Sequence, residues 1–144
     1  MVDHLEISAQ ELAEQSAAAM WAQDAASQAM GMKLDSVQPG YARMTMQVRD
    51  DMVNGHRICH GGFVFTLADS AFAFACNTYG QVTVAQDCDI VFVAPARLGD
   101  VLTAEATERH RFGRNGIYDV TVRRDGEVIA EFRGRSRELR DWNG

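Results

Sequence analysis

The stretch Gly61–Gly80, GGFVFTLADSAFAFACNTYG, decides how the rest of the chain is read. After the glycine pair, apolar side chains from Phe63 to Cys76 follow with few polar interruptions. That length, closed by Gly80 after Tyr79, favours a helix over a strand. A helix that is apolar on nearly every side must be buried on nearly every side. One central helix wrapped by strands is the fold the sequence predicts.

The flanking segments supply the wrapping. Leu34–Val37, the pair Pro39-Gly40 and Tyr41–Val48 read as strand, turn, strand, with Met44, Met46 and Val48 on one face. Residues 49–60 are a loop rich in Asp, Asn, Gly and His. Downstream, Val82–Phe92 ends before Pro95, and Val101–His110 alternates Leu102, Ala104 and Ala106 with polar residues. Ile117–Arg124 and Val128–Ser136 flank Asp125-Gly126, a strong hairpin signal. The expected class is α+β: a long helix against about six strands, mainly antiparallel and in meander order. Residues 7 to about 28 read as an added surface helix, opened by the capping pair Ser8 and Glu11 and rich in alanine and glutamine. The chain thus divides into a helical arm (1–30), one domain (31–138) and a short tail (139–144).

Composition narrows the function. The 144 residues carry 14 basic and 20 acidic side chains, a net charge of −6, and are 47% hydrophobic. Those values suit one globular domain and exclude a disordered or collagen-like chain. No unbroken apolar run exceeds that of Ala71–Cys76, which is far below the ~18 residues of a membrane span. Residues 1–96 carry a net −7 and residues 97–144 a net +1. So acidic a chain is unsuited to phosphate-driven nucleic-acid binding, although a local arginine face can still hold a small anion. Met1–Glu6 has acids where a secretory leader has bases, and Cys59, Cys76 and Cys88 lack a framework spacing. A cytoplasmic protein with free thiols is expected.

Within this frame, Asp69 is the residue that needs explaining. It lies mid-helix, and Phe65, Phe72, Ala73 and Cys76 share its face at three- and four-residue spacing. Partial loss of water there raises a carboxyl pKa and suits it to catalysis. The second candidate is the loop Asn54-Gly55-His56-Arg57-Ile58-Cys59-His60-Gly61-Gly62 that enters the helix. Two glycines at a helix start let a ligand approach unpaired backbone amides, and these can hold a developing oxyanion. Gly61 and Asp69 are eight residues apart, a rise of about 12 Å on one helix. One carbonyl cannot touch both, so a shared reaction requires Asp69 from a second, antiparallel copy. A two-fold dimer with two interfacial sites follows. His56, Cys59 and His60 lack the further ligands of a metal site, and adjacent Cys59 and His60 point apart. No serine-hydrolase elbow, P-loop or dinucleotide fingerprint is present.

The run Asn54-Gly55-His56, Cys59-His60-Gly61-Gly62, Leu67-Ala68-Asp69-Ser70-Ala71-Phe72-Ala73 and Ala75-Cys76-Asn77 resembles the hotdog-fold acyl-CoA thioesterases. It is most similar to their PaaI-type subfamily of phenylacetate degradation. The likeness extends over roughly residues 31–136, including Gly99-Asp100, Gly116–Asp119 and Phe132-Arg133-Gly134. It implies a helix wrapped by an antiparallel sheet, dimers joined edge to edge and paired into homotetramers, and hydrolysis without a metal or cofactor. The substrate implied is phenylacetyl-CoA or a ring-hydroxylated form. By the same resemblance the Gly61 amide, with His60 beside it, polarises the thioester carbonyl. Asp69 is nucleophile or general base, and Asn54 positions substrate or water. Some relatives carry threonine where this chain has Ala73, so no hydroxyl assists there. Substrate contacts are expected from Gly62, Phe65, Phe72 and Ala73, with core packing the competing role for the phenylalanines. Arg114 and Arg97 are candidates for the CoA phosphates. A hotdog dehydratase or hydratase using His60 with Asp69, and a non-catalytic acyl-CoA-binding protein, are the competing functions.

Overall fold

The computed structural model describes residues 6–140; Met1–Leu5 and the end of the tail, 141–144, lie outside the described residues. The arm is two helices, α1 (Ala9–Gln23) and α2 (Ala25–Ala29), rather than one. The Ser8–Glu11 capping box forms at the start of α1. The break falls at Asp24, whose carboxylate accepts the backbone N–H of Ser27 (3.0 Å) and so opens α2. Strands β1 (Lys33–Gln38) and β2 (Tyr41–Gln47) turn about Pro39-Gly40, where Gly40 adopts φ +72°. The central helix α3 spans Gly61–Cys76, ending with its apolar run and before the Tyr79-Gly80 close that the sequence suggested. Asn77 stops it: its side chain donates to the Ala73 carbonyl (2.8 Å) and exchanges hydrogen bonds with the Thr83 backbone.

Four strands follow: β3 (Thr83–Phe92), β4 (Val101–Phe112), β5 (Asn115–Arg124) and β6 (Glu127–Glu138). All pairings are antiparallel, in the order β1-β2-β4-β5-β6-β3. The meander expectation holds from β4 to β6 and fails for β3, which occupies the far edge beside β6. The reason is α3: it carries the chain across the sheet before β3 begins. The Asp125-Gly126 turn is as read, both residues having positive φ.

The core is the contact of α3 with the sheet's inner face. Leu67, Ala68, Ala71, Phe72, Phe74 and Ala75 of α3 are buried against Met44, Met46, Leu102, Ala104, Val120 and Ala130. The sheet must come close where α3 is bulky, and Gly134 on β6 lets it. A β-carbon there would lie 2.7 Å from the ring of Phe72, itself enclosed by Tyr118 and Phe132. The ring has no free space to yield into. Gly134→Ala is therefore expected to lose about 1–3 kcal/mol by overpacking, measured as a lowered midpoint in urea unfolding with unchanged slope.

Candidate active site

Residues 48–60 form a tightly hydrogen-bonded loop. Val53 bridges Cys59 and Ile58 bridges Arg97 in short antiparallel pairs. The Cys59 N–H donates to Ala96 O (2.7 Å) and the His60 N–H to Met52 O (2.8 Å), fixing where α3 starts. Asn54 organises the tip. Its backbone N–H donates to Ile58 O (2.9 Å), and its side-chain Oδ1 accepts the N–H groups of His56 (2.9 Å) and Ile58 (3.2 Å). Because Oδ1 is held by two amides, the Asn54 NH2 is turned outward, with no acceptor among the described residues. Asn54 therefore faces a ligand as a donor. Arg57, next in the loop, is held at φ +63°, a conformation that costs a non-glycine residue about 1–3 kcal/mol. Nothing in the sequence marked that position.

His60 is the N-cap of α3. Its Nδ1 accepts the Gly62 N–H (3.3 Å), which places the proton of the neutral ring on Nε2. This corrects one expectation: the Gly62 amide is already bonded and is not a ligand donor. The Gly61 amide has no acceptor among the described residues and stands at the positive end of the helix dipole. The Gly61 N–H and the Asn54 Nδ2–H are thus donors of the loop and helix start that stay free for a ligand. Cys59 takes no part: its Sγ–H points to His60 O (3.5 Å), and burial with nearby Asp100 pushes the thiol up to about 11.

Asp69 sits two turns further along α3, half-buried, with no donor to its carboxylate among the described residues. Burial alone lifts its pKa above the ordinary carboxylate value. Burial first, with the Asp69 charge adding to it, pushes the thiols of Cys76 and Cys88 up to about 12 and about 11. Among the described residues no group of three His, Cys, Asp or Glu side chains is arranged to hold a metal ion.

The remaining candidates separate. Phe65 is half-buried and packs edge-on against Phe132, with ring centroids 5.4 Å apart. Ala73 is half-exposed one turn beyond Asp69. Phe72 is a correction: it is 1% exposed and enclosed by core residues, leaving a ligand no surface to touch. Arg114 lies in the β4–β5 turn beside Cys76 and Tyr79 at the far end of α3 from Gly61, so within one chain it is remote from the helix start. Arg97 is joined to the loop through Ile58, and like Arg57 it is exposed without a carboxylate partner among the described residues. Most other arginines are ion-paired on the outer sheet face, as in the two-point contact of Arg133 with Asp119 (2.6 and 2.9 Å).

The helix start thus offers one free amide, its entry loop an outward carboxamide and the apolar helix a desolvated carboxylate, and comparison with known proteins gives the family. The chain belongs to the thioesterase superfamily, whose family model matches residues 56–131, and it is a thioester hydrolase of the hotdog fold. It is 44% identical over 126 residues to the acyl-coenzyme A thioesterase PaaI of Escherichia coli K12, covering 87% of this chain and 90% of that protein. The solved structure of the E. coli PaaI protein from the phenylacetic acid degradation operon superposes with a TM-score of 0.90 at 42% identity, covering 92% of this chain and 97% of that one. A mutant of the phenylacetic acid degradation protein PaaI from Thermus thermophilus matches at 37% identity and TM-score 0.76, over 78% of this chain and 97% of that one. Human acyl-coenzyme A thioesterase 13 is 32% identical over 104 residues, covering 69% of this chain and 74% of that protein.

Two substitutions test the geometry. Asn54→Asp keeps the oxygen that binds the loop amides and removes the outward donor, whereas Asn54→Ala removes both. Turnover is expected to fall about 10²–10³-fold in Asn54→Asp, the cost of one oxyanion donor, with unfolding temperature nearly unchanged; Asn54→Ala lowers both. For Asp69 the sign is opposite. Its raised pKa means the ionised form costs folding free energy at pH values above that pKa, and the cost disappears as acid protonates the carboxyl. Asp69→Asn is expected to raise the unfolding temperature at neutral pH, with the gain shrinking in acid, read by calorimetry across pH.

Proposed function

We propose that the chain hydrolyses arylacetyl-CoA thioesters, phenylacetyl-CoA or a ring-hydroxylated form, to the free acid and CoA. The carrying observation is the free Gly61 amide at the start of a helix that also carries the desolvated Asp69 carboxylate, with the outward amide of Asn54 in the loop that enters that helix. The PaaI relatives supply the substrate class. A thioester carbonyl accepts from Gly61 N–H and Asn54 Nδ2–H. Asp69 either removes a proton from the attacking water or attacks the carbonyl carbon itself, in which case loss of the thiolate leaves a mixed anhydride on Asp69 that water then hydrolyses to the free acid. The oxyanion collapses, the C–S bond breaks, and the CoA thiolate leaves and takes up a proton. A thiolate is a good leaving group, so the reaction asks for oxyanion donors and a base and for no cofactor.

The carboxylate comes from the partner copy. Gly61 and Asp69 stand on one helix about 12 Å apart along its axis, so an antiparallel second α3 brings the partner's residue level with this glycine. The surface supports that arrangement. Gly61, Phe65, Asp69 and Ala73 form a half-buried stripe on α3 that its own sheet leaves uncovered. The β3 edge beside it exposes Val82, Val84, Val91, Phe92 and Val93, a long apolar edge of the kind proteins cover. Joining two β3 edges sets the two stripes side by side, with Phe65 midway between Gly61 and Asp69 near the two-fold axis. In that dimer Arg114 of one copy approaches the end of α3 that carries the other's Gly61, which restores it as a phosphate contact. The outer sheet face, with its alternating arginines and carboxylates, is then the surface for pairing dimers into tetramers. The three free cysteines suit a reducing cytoplasm, and no helix among the described residues is long and apolar enough to cross a membrane.

The decisive measurement is steady-state hydrolysis of phenylacetyl-CoA, with CoA followed by chromatography because the protein's thiols react with thiol dyes. Wild type is expected to release CoA, and Asp69→Asn and Asn54→Asp each to be at least about 10²-fold slower. Mixing the two variants in equal amounts, with subunit exchange, rebuilds one complete site in each mixed dimer. Activity should recover toward about a quarter of wild type. Absence of recovery, with exchange verified by mass spectrometry, would place both groups in one chain and reject the shared site.

A further inference from the structure

Gly61 has a neighbour that no motif announces. Phe92, the last residue of β3, stands opposite Ala130 of β6 on the helix-facing side of the sheet. Its ring lies over the glycine: a β-carbon added to Gly61 would sit 2.9 Å from the Cζ of Phe92. Although it packs there, Phe92 remains 53% exposed. With Ile58, Val64 and Pro95 it walls a cavity of about 490 Å³ that opens beside Gly61.

The chemistry of this cavity is simple. No charged side chain lines it. The backbone of its walls is largely hydrogen-bonded: Val93 and Ala94 donate to Ile129 O, and Ala96 O accepts from Cys59. The Cys59 thiol is turned to a carbonyl. The Gly61 and Ala96 N–H groups are the donors left without an acceptor among the described residues. An apolar slot with the Gly61 amide at its edge suits a molecule with a carbonyl next to an apolar body, and its volume lies in the range of small-ligand sites. A thioester held at Gly61 by its carbonyl has this slot as the apolar cavity beside it for its acyl substituent.

We propose that the slot beside Gly61 is the acyl-binding site, and that Phe92, through contact with an aromatic ring, determines the preference for arylacetyl over short acyl groups. The inference rests on the thioesterase reading given above. It replaces Phe72, which is sealed in the core, with a residue 31 positions from Gly61 in sequence. Ring-on-ring contact in offset or edge geometry is specific to an aromatic acyl group, and an acetyl group gains nothing from it.

The test compares kcat/KM for phenylacetyl-CoA and acetyl-CoA in wild type, Phe92→Ala, Phe92→Tyr and Val101→Ala, the last an exposed apolar residue away from the slot. The phenylacetyl-to-acetyl ratio is expected to fall about tenfold in Phe92→Ala, to recover in Phe92→Tyr and to stay unchanged in Val101→Ala. Gly61→Ala, which drives a methyl group against the ring, should lower the ratio as well. An unchanged ratio in Phe92→Ala with an active wild type overturns the acyl assignment and leaves the thioesterase reading intact. Phe92 also belongs to the β3 edge that joins two copies, so the ratios are compared at protein concentrations where sedimentation shows every variant as an intact dimer. Should wild type hydrolyse neither ester, the thioesterase reading fails, and calorimetry with a stable phenethyl thioether of CoA still decides the slot. Binding about tenfold weaker in Phe92→Ala supports the assignment, and equal binding rejects it.

Discussion

α3 carries more apolar surface than one six-stranded sheet can cover, and this mismatch governs the rest of the molecule. The sheet curls over the helix far enough to bury Leu67, Ala68, Ala71, Phe72 and Ala75. To come so close at Phe72 it uses glycine at position 134. The arm covers another side, with Trp21 against Phe74 (ring centroids 6.2 Å apart) and Ser27 bonded to Ser70 (2.8 Å). What stays open is the stripe through Gly61, Phe65, Asp69 and Ala73. Hydrophobic burial that a chain leaves incomplete is available to a second copy. The same stripe holds both reactive ends of the proposed site, so assembly and catalysis make use of one surface.

Polarity at the helix start is distributed with similar economy. Four amides at an α-helix N-terminus lack intrahelical partners. At α3, His60 satisfies Gly62 through Nδ1, and the Phe63 N–H turns back to His60 O (3.0 Å). Gly61 alone is left for a ligand. The capping histidine therefore selects which amide stays free for a ligand. The dehydratase reading asks the same ring for proton transfer, and its Nδ1 is already occupied by the cap.

The helix, the hairpins and the antiparallel strands were legible because each rests on local periodicity or turn chemistry: Asp125-Gly126, Pro39-Gly40 and the apolar run after Gly61. Asp69 stood out as a charge within the apolar run, whereas Asn54 was singled out from its polar loop by the family resemblance. The place of β3 was not, because strand order depends on how α3 crosses the sheet, which no local pattern records. The break at Asp24 was missed because alanine-rich sequence on both sides favours helix, and only the bond of the Asp24 carboxylate to Ser27 shows why it stops. Gly62 was assigned to substrate on its residue type; its amide partner, the Nδ1 of His60, is a matter of rotamer. Phe92 was invisible as a site residue because only the paired sheet brings it onto Gly61.

Asp69 ties these features to an energetic conflict. A carboxylate that receives no hydrogen bond and is half removed from water is destabilising when ionised, yet that is the form able to act as base or nucleophile. In a single chain the stripe around Asp69 still faces water on one side. Covering it with a second helix would deepen the desolvation and raise the pKa further, unless the new neighbour supplies compensating polarity. The partner's helix start, which carries the positive end of a helix dipole and an unpaired Gly61 amide, is such a neighbour. The antiparallel arrangement that completes the site is thus also the one that best tolerates its charge, whereas a parallel pairing would bury two carboxylates side by side at the same level.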